Sequence, residues 1–147
     1  MFFDAAADVI GCGVDLLSGE AEATYGFAGA TADLDPAGGP YLVVDIGGGS
    51  TELACGRNHP DAVRSLEVGS VRFTEAYLPS DPPRPEELSS AISMVHLYLD
   101  DVDRELPTMG SASQLVGVAG TVTTIAAVEI GLQTYDPDVI DGFVLER

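Results

Sequence analysis

The chain has 147 residues, 46% of them hydrophobic, and a formal net charge of −18 at pH 7. That length suits one domain rather than two, and no apolar run approaches the roughly 20 residues that a membrane-spanning helix needs. Lysine is absent, and six arginines stand against 24 acidic residues, which excludes a basic nucleic-acid-binding surface. The N-terminus carries no basic, cleavable leader, so the expected location is cytoplasmic.

Residues Met1 to Gly11 read as a helix already under way, with helix expected over Phe2–Cys12 and a short strand over Val14–Leu17. Between Gly19 and about Asp33, apolar residues at Ala23, Phe27, Ala30 and Leu34 recur three or four apart, the spacing of an amphipathic helix. Asp35–Pro40 is a turn-rich break. Strands are expected over Tyr41–Ile46 and Ser50–Gly56, the first almost wholly apolar and therefore central in a sheet. A turn over Arg57–Asp61 leads to a third strand over Ala62–Glu67, and Gly69 opens a helix through Tyr77. The proline-rich stretch Pro79–Pro85 is a connector. Leu88, Ile92, Val95, Leu99, Val102 and Leu106 mark one face of a long helix that Pro107 helps to end. Gln114–Val118 reads as a buried strand and Thr121–Ile130 as a helix closed by Gly131. Strands mixed with helices define an α/β domain. Cys12 and Cys55 have no metal-ligand spacing and are expected as reduced core thiols.

The chemistry concentrates in Asp45-Ile46-Gly47-Gly48-Gly49-Ser50-Thr51-Glu52. A buried strand ends there in a carboxylate and a triple-glycine turn. Three residues without Cβ atoms permit positive φ angles and let successive backbone N–H groups converge on one anion. Asp45 beside that anion is intelligible if a divalent cation bridges carboxylate and phosphate oxygens. Gly120 and Thr121 open a helix after a buried strand, the setting in which free N–H groups face an anion. No nucleophile elbow and no P-loop occur.

The glycine turn resembles the second phosphate-binding motif of the exopolyphosphatase and guanosine pentaphosphate phosphohydrolase (Ppx/GppA) family, part of the actin, sugar kinase and heat-shock ATPase superfamily. Three further blocks occur in the family's order: Leu17 to Ala23 around Ser18-Gly19, Leu66 to Glu75, and Gly117 to Thr124, after which Tyr135-Asp136-Pro137 continues the likeness. The resemblance implies an α/β fold of the actin-like ATPase (ribonuclease H-like) kind, with a mixed sheet and flanking helices. Residues 1–147 would be its second, phosphate-binding lobe. The family's first phosphate loop, of the form Asp-x-Gly-Thr-Asn-Ser, is not found in this sequence, so a fragment without its N-terminal lobe is expected.

The same resemblance implies hydrolysis of terminal phosphate from polyphosphate, or of the 5′ phosphate of guanosine pentaphosphate, with Mg2+ or a similar cation. A phosphate-binding lobe without catalysis, or an inactive remnant, is the alternative. Glu22, directly before Ala23, aligns with the family glutamate that orients or activates the attacking water. Gly47, Gly48, Gly49, Ser50 and Thr51 would hold phosphate, facing Gly120 and Thr121. Asp45 would hold the metal and Glu52 would be a second metal-shell carboxylate, although a surface charge fits Glu52 equally. Arg72 would pair with a phosphate or brace the glycine turn. A lobe of this kind should expose apolar surface and self-associate, a homodimer being the simplest product. The expected result is a scattering mass that rises with protein concentration; a constant monomer mass over a wide range would contradict it.

Overall fold

The computed structural model describes residues 2–146. Met1, included above in the first helical stretch, and Arg147, at the end of the expected domain, lie outside the described residues. In chain order the elements are α1 (Phe2–Ile10), α2 (Gly19–Ala30), a 3-10 turn (Pro36–Gly38), β1 (Tyr41–Ile46), β2 (Thr51–Gly56), β3 (Pro60–Leu66), α3 (Ser70–Tyr77), α4 (Pro85–Glu105), a second 3-10 turn (Pro107–Ser111), β4 (Gln114–Val118), α5 (Ala119–Ile130) and α6 (Pro137–Ile140). The strands form one mixed sheet in the order β3-β2-β1-β4. β1 pairs antiparallel with β2 and parallel with β4, so it is central, as its apolar run requires. β2 and β3 complete an antiparallel meander.

The period-two alternation of strands sorts side chains into two cores. On one face Tyr41, Val43 and Ala54 meet Ala23 and Phe27 of α2. On the other, Leu53, Cys55, Ala62 and Leu66 meet Val102 of α4 and Met109 of the second 3-10 turn. α2 starts sharply because the Ser18 hydroxyl accepts a hydrogen bond from the Ala21 N–H at 3.2 Å. α4 starts where Glu87 accepts from the Arg84 N–H at 2.9 Å and from the Ser80 hydroxyl at 2.7 Å. Those two donors, the backbone one foremost, hold the Glu87 carboxyl below its usual range. α5 ends at Gly131, whose φ of 79° is the left-handed cap that glycine adopts freely.

Four expectations need correction. Gln114–Val118 is a strand but not a buried one: as β4 it forms an edge of the sheet beside β1, and Leu115 stays largely exposed. Val14–Leu17 is not a strand: it pairs with none of the described strands, and Leu16 stays 82% exposed. Cys12 is exposed and only Cys55 is buried, because α1 and the segment after it contribute nothing to either core. The apolar stripe of α4 is also misplaced: Leu88, Ile92 and, further along, Leu99 are exposed, while Tyr98, Val102 and Leu106 face the core. A 21-residue helix runs about 30 Å, longer than the strands beneath it, and its core-facing residues Tyr98 and Val102 belong to its second half, where Tyr98 also meets Phe73 of α3.

Phe27 is the largest fully enclosed side chain. Phe27→Ala should lower unfolding free energy by about 3–5 kcal/mol, read as a reduced urea midpoint with an unchanged slope.

Candidate functional site: two glycine loops on one cleft

The site follows from strand direction. β1 and β4 run parallel with Asp45 opposite Val118, so the loops that follow them leave the sheet at the same end. Ligands in open α/β sheets bind at the carboxyl ends of such strands. A cleft of about 570 Å³ lies there, lined by Ile46, Gly47, Gly48 and Ser70 on one side and by Gly120, Thr121, Thr124 and Ile125 on the other. Loops far apart in sequence thus form its opposing walls.

The glycine turn does not use positive φ; among the described glycines only Gly11, Gly131 and Gly142 do. Gly47 and Gly48 sit where a side chain would be tight instead, while Gly49 faces open space. A Cβ on Gly48 would stand 3.3 Å from Val71 Cγ2, and one on Gly47 would stand 3.3 Å from the Ser50 carbonyl oxygen. The turn closes through the Gly47 N–H, which donates to Ser50 O at 3.0 Å. The second loop instead carries the unusual backbone: Ala119 has φ of 69°, a left-handed conformation that costs a non-glycine residue about 1–3 kcal/mol. That turn sets the entry of α5, and Gly117 lets the helix fold back closely, since a Cβ there would meet Val122 Cγ1 at 2.6 Å. Thr123 and Thr124 bend their hydroxyls onto Gly120 O at 3.2 and 2.7 Å.

A row of polar side chains crosses the α2 face of the sheet beside this cleft. Asp45 stands opposite Glu52 and Glu52 opposite Ser65 in the strand registers. Glu52 is only 3% exposed and accepts a hydrogen bond from the Ser65 hydroxyl at 2.8 Å. Burial, and then the Glu52 charge, raise the Asp45 carboxyl above its ordinary 3.8. Two carboxylates facing each other across a ladder repel, and a small hard cation resolves that conflict. One or two carboxylates with phosphate oxygens and water form the donor set Mg2+ accepts, so Asp45 and Glu52 fit such an ion.

Glu22 is exposed in the first turn of α2. Gly19, three residues earlier and so on the same helical stripe, lies directly on the polar row: a Cβ at Gly19 would be 2.4 Å from Ser65 Oγ and 3.8 Å from Glu52 Oε1. The remaining residues take different places. Thr51 is buried, and its hydroxyl donates to Val68 O at 2.6 Å. Arg72 directs Nε to Gly49 O at 2.8 Å and Nη1 toward Glu67 at 3.8 Å. Of the residues expected to hold phosphate, Gly47, Gly48, Gly120 and Thr121 line the cleft; Gly49, Ser50, Thr51 and Arg72 do not. Ser65 went unnoticed in the sequence, and Gly19 and Ala119 appeared there only within the family-like blocks around Ser18-Gly19 and Gly117 to Thr124, with no role of their own.

A mixed sheet whose parallel neighbours end in two glycine loops across one cleft is a lobe of the actin-like ATPase fold. The model of the Ppx/GppA phosphatase family matches residues 1–139, and the chain belongs to that family. It is 39% identical over 145 residues to exopolyphosphatase 2 of Mycobacterium tuberculosis, covering 95% of this chain and 45% of that protein. It is 31% identical over 126 residues to a guanosine-5'-triphosphate,3'-diphosphate pyrophosphatase of Photobacterium profundum, covering 85% and 25%. The crystal structure of an exopolyphosphatase-like protein superposes with a TM-score of 0.89 at 37% identity, over 97% of this chain and 47% of that one. An Aquifex aeolicus family member gives 0.73 at 33% identity, over 98% and 45%. The chain spans less than half the length of these relatives.

The raised Asp45 carboxyl has a stability consequence. Because folding raises its pKa, its favourable contribution is complete below pH 3.8 and is lost as pH rises through the folded value. Asp45→Asn should therefore be more stable than the parent at pH 7, and the gap should close at acid pH in paired denaturation curves.

Proposed function

We propose that the chain is the phosphate-binding second lobe of a phosphoanhydride hydrolase that releases terminal phosphate from inorganic polyphosphate or the 5′ phosphate from guanosine pentaphosphate. The observation that carries this reading is the pair of glycine loops facing one cleft at the carboxyl ends of β1 and β4. Relatives named for each of the two activities lie within the same family. Polyphosphate is preferred here because the relative at 39% identity is named an exopolyphosphatase.

Phosphoryl transfer to water asks for an oriented water, donors for the equatorial oxygens and an in-line leaving group. Backbone N–H groups of the glycine turn, with Gly120 and Thr121 opposite, hold the terminal phosphoryl group. Glu22 orients the water and takes its proton as the oxygen attacks phosphorus and the anhydride P–O bond breaks, leaving phosphate and a shortened chain. Asp45 and Glu52 hold Mg2+ or a similar cation, which when bound offsets charge on the phosphate oxygens. Such a cation also answers the electrostatic difficulty of an anionic substrate meeting a chain of net charge −18. The enzyme would work in the cytoplasm, together with the lobe that carries the first phosphate loop.

Glu22→Gln, placed at the equivalent glutamate of a full-length family member, keeps a polar group of the same size without its basicity. Turnover of polyphosphate should fall about 10²–10⁴-fold, with KM little changed. Unchanged turnover would remove Glu22 from the mechanism.

A further inference from the structure

The three carbonyl groups of the glycine turn are all taken by one neighbouring element. Gly47 O accepts from the Ser70 N–H at 3.0 Å and the Ser70 hydroxyl at 3.3 Å. Gly48 O accepts from the N–H groups of Val71 and Arg72, both at 3.0 Å, and Gly49 O accepts from Arg72 Nε. The first three N–H groups of α3, which at most helix starts await a cap or an anion, are therefore spent on the turn itself. In a trans peptide the C=O and the next N–H point in opposite directions. Fixing the carbonyls of Gly47, Gly48 and Gly49 on α3 consequently turns the N–H groups of Gly48, Gly49 and Ser50 away from it.

Gly69 makes this contact possible. It is buried, and a Cβ there would lie 2.4 Å from Gly48 O, 2.5 Å from Gly48 C and 2.5 Å from Gly49 C. Every atom it would strike belongs to the backbone, so no side-chain rotation relieves the clash. Gly69, the residue just before α3, is where the backbone of the turn comes closest to the start of that helix.

We infer that Gly69 and Arg72 are positioning residues for phosphate binding: Gly69 admits the glycine turn onto α3, Arg72 braces its last carbonyl, and neither contacts the phosphate. The inference deepens the phosphate-cleft reading and rests on it. α3 acts as a clamp that spends its own helix-end donors to orient the donors of the turn. Arg72, expected to pair with phosphate or to brace the turn, does the second.

The test separates the clamp from the ligand. Amide exchange at Ser70 and Val71, whose N–H groups donate to the turn, with Leu53 and Cys55 of β2 as internal references, is measured by NMR in the parent chain, Gly69→Ala, Arg72→Gln and Arg72→Lys. Tripolyphosphate affinity is measured on the same samples. Gly69→Ala and Arg72→Gln should speed exchange at Ser70 and Val71 roughly tenfold with β2 unchanged and weaken tripolyphosphate by a similar factor, with partial rescue in Arg72→Lys. Should Gly69→Ala fail to fold, Arg72→Gln carries the test. Unchanged exchange at Ser70 and Val71 in the folded variants overturns the clamp. Weaker binding by Arg72→Gln with unchanged exchange there returns Arg72 to direct phosphate contact and overturns its positioning role. A parent chain that binds no tripolyphosphate, yet exchanges faster at Ser70 and Val71 in the variants, overturns the phosphate reading and not the clamp.

Discussion

The parallel pairing of β1 with β4 governs the rest of the molecule. Parallel neighbours demand a crossover, and here it is the long excursion through β2, β3, α3 and α4. That excursion returns the chain beside its starting strand and pointing the same way. Asp45 opposite Val118 therefore sets two otherwise unrelated loops face to face. A residue slip in this ladder would separate the loops and also reverse which side chains meet α2, since alternate residues face opposite sides. The same register thus serves both the core under Phe27 and the cleft.

Electrostatics then distinguish the two sides of the site. The cleft is lined by glycines, Ser70, Thr121, Thr124 and two isoleucines, none of which carries a charged side chain. The adjacent row of Asp45, Glu52 and Ser65 concentrates acid where the sheet is least exposed. A fold loses stability by holding two carboxylates opposite each other, and proteins keep such conflicts where function needs them. The Ser65 hydroxyl donates to Glu52 Oε1 and so fixes that carboxyl group in place opposite Asp45.

Much of this was legible in the sequence, for reasons that differ by element. The apolar run of β1, the glycine stop of α5 and the three- and four-residue spacing of α2 are local signals, and each produced its element. The two glycine loops stood out because phosphate-binding backbone has few sequence solutions. Thr51 read differently because a side chain's partner is a tertiary fact: its hydroxyl went to Val68 O, while of the two partners open to Arg72 the guanidinium took the turn, at Gly49 O. The α4 stripe failed at its N-terminal half because periodicity reveals an apolar face without showing how far the sheet beneath it extends. The segment over Val14–Leu17 has strand-like composition, but a strand needs a partner, and none of the described strands lies alongside it.

The contact of Gly19 with Ser65 also bears on the order in which the molecule assembles. α2 is made before any strand of the sheet, yet its first turn rests on β3 and its buried residues rest on β1 and β2. Among the described residues, the surface on which this helix docks is the β1–β2–β3 meander, which follows it in the chain. A helix that buries only Ala23 and Phe27 is marginal on its own. The segment bearing Glu22 therefore takes its place on the sheet only once the β1–β2–β3 meander has formed, and the glutamate proposed to orient water is held by a surface that follows it in the chain.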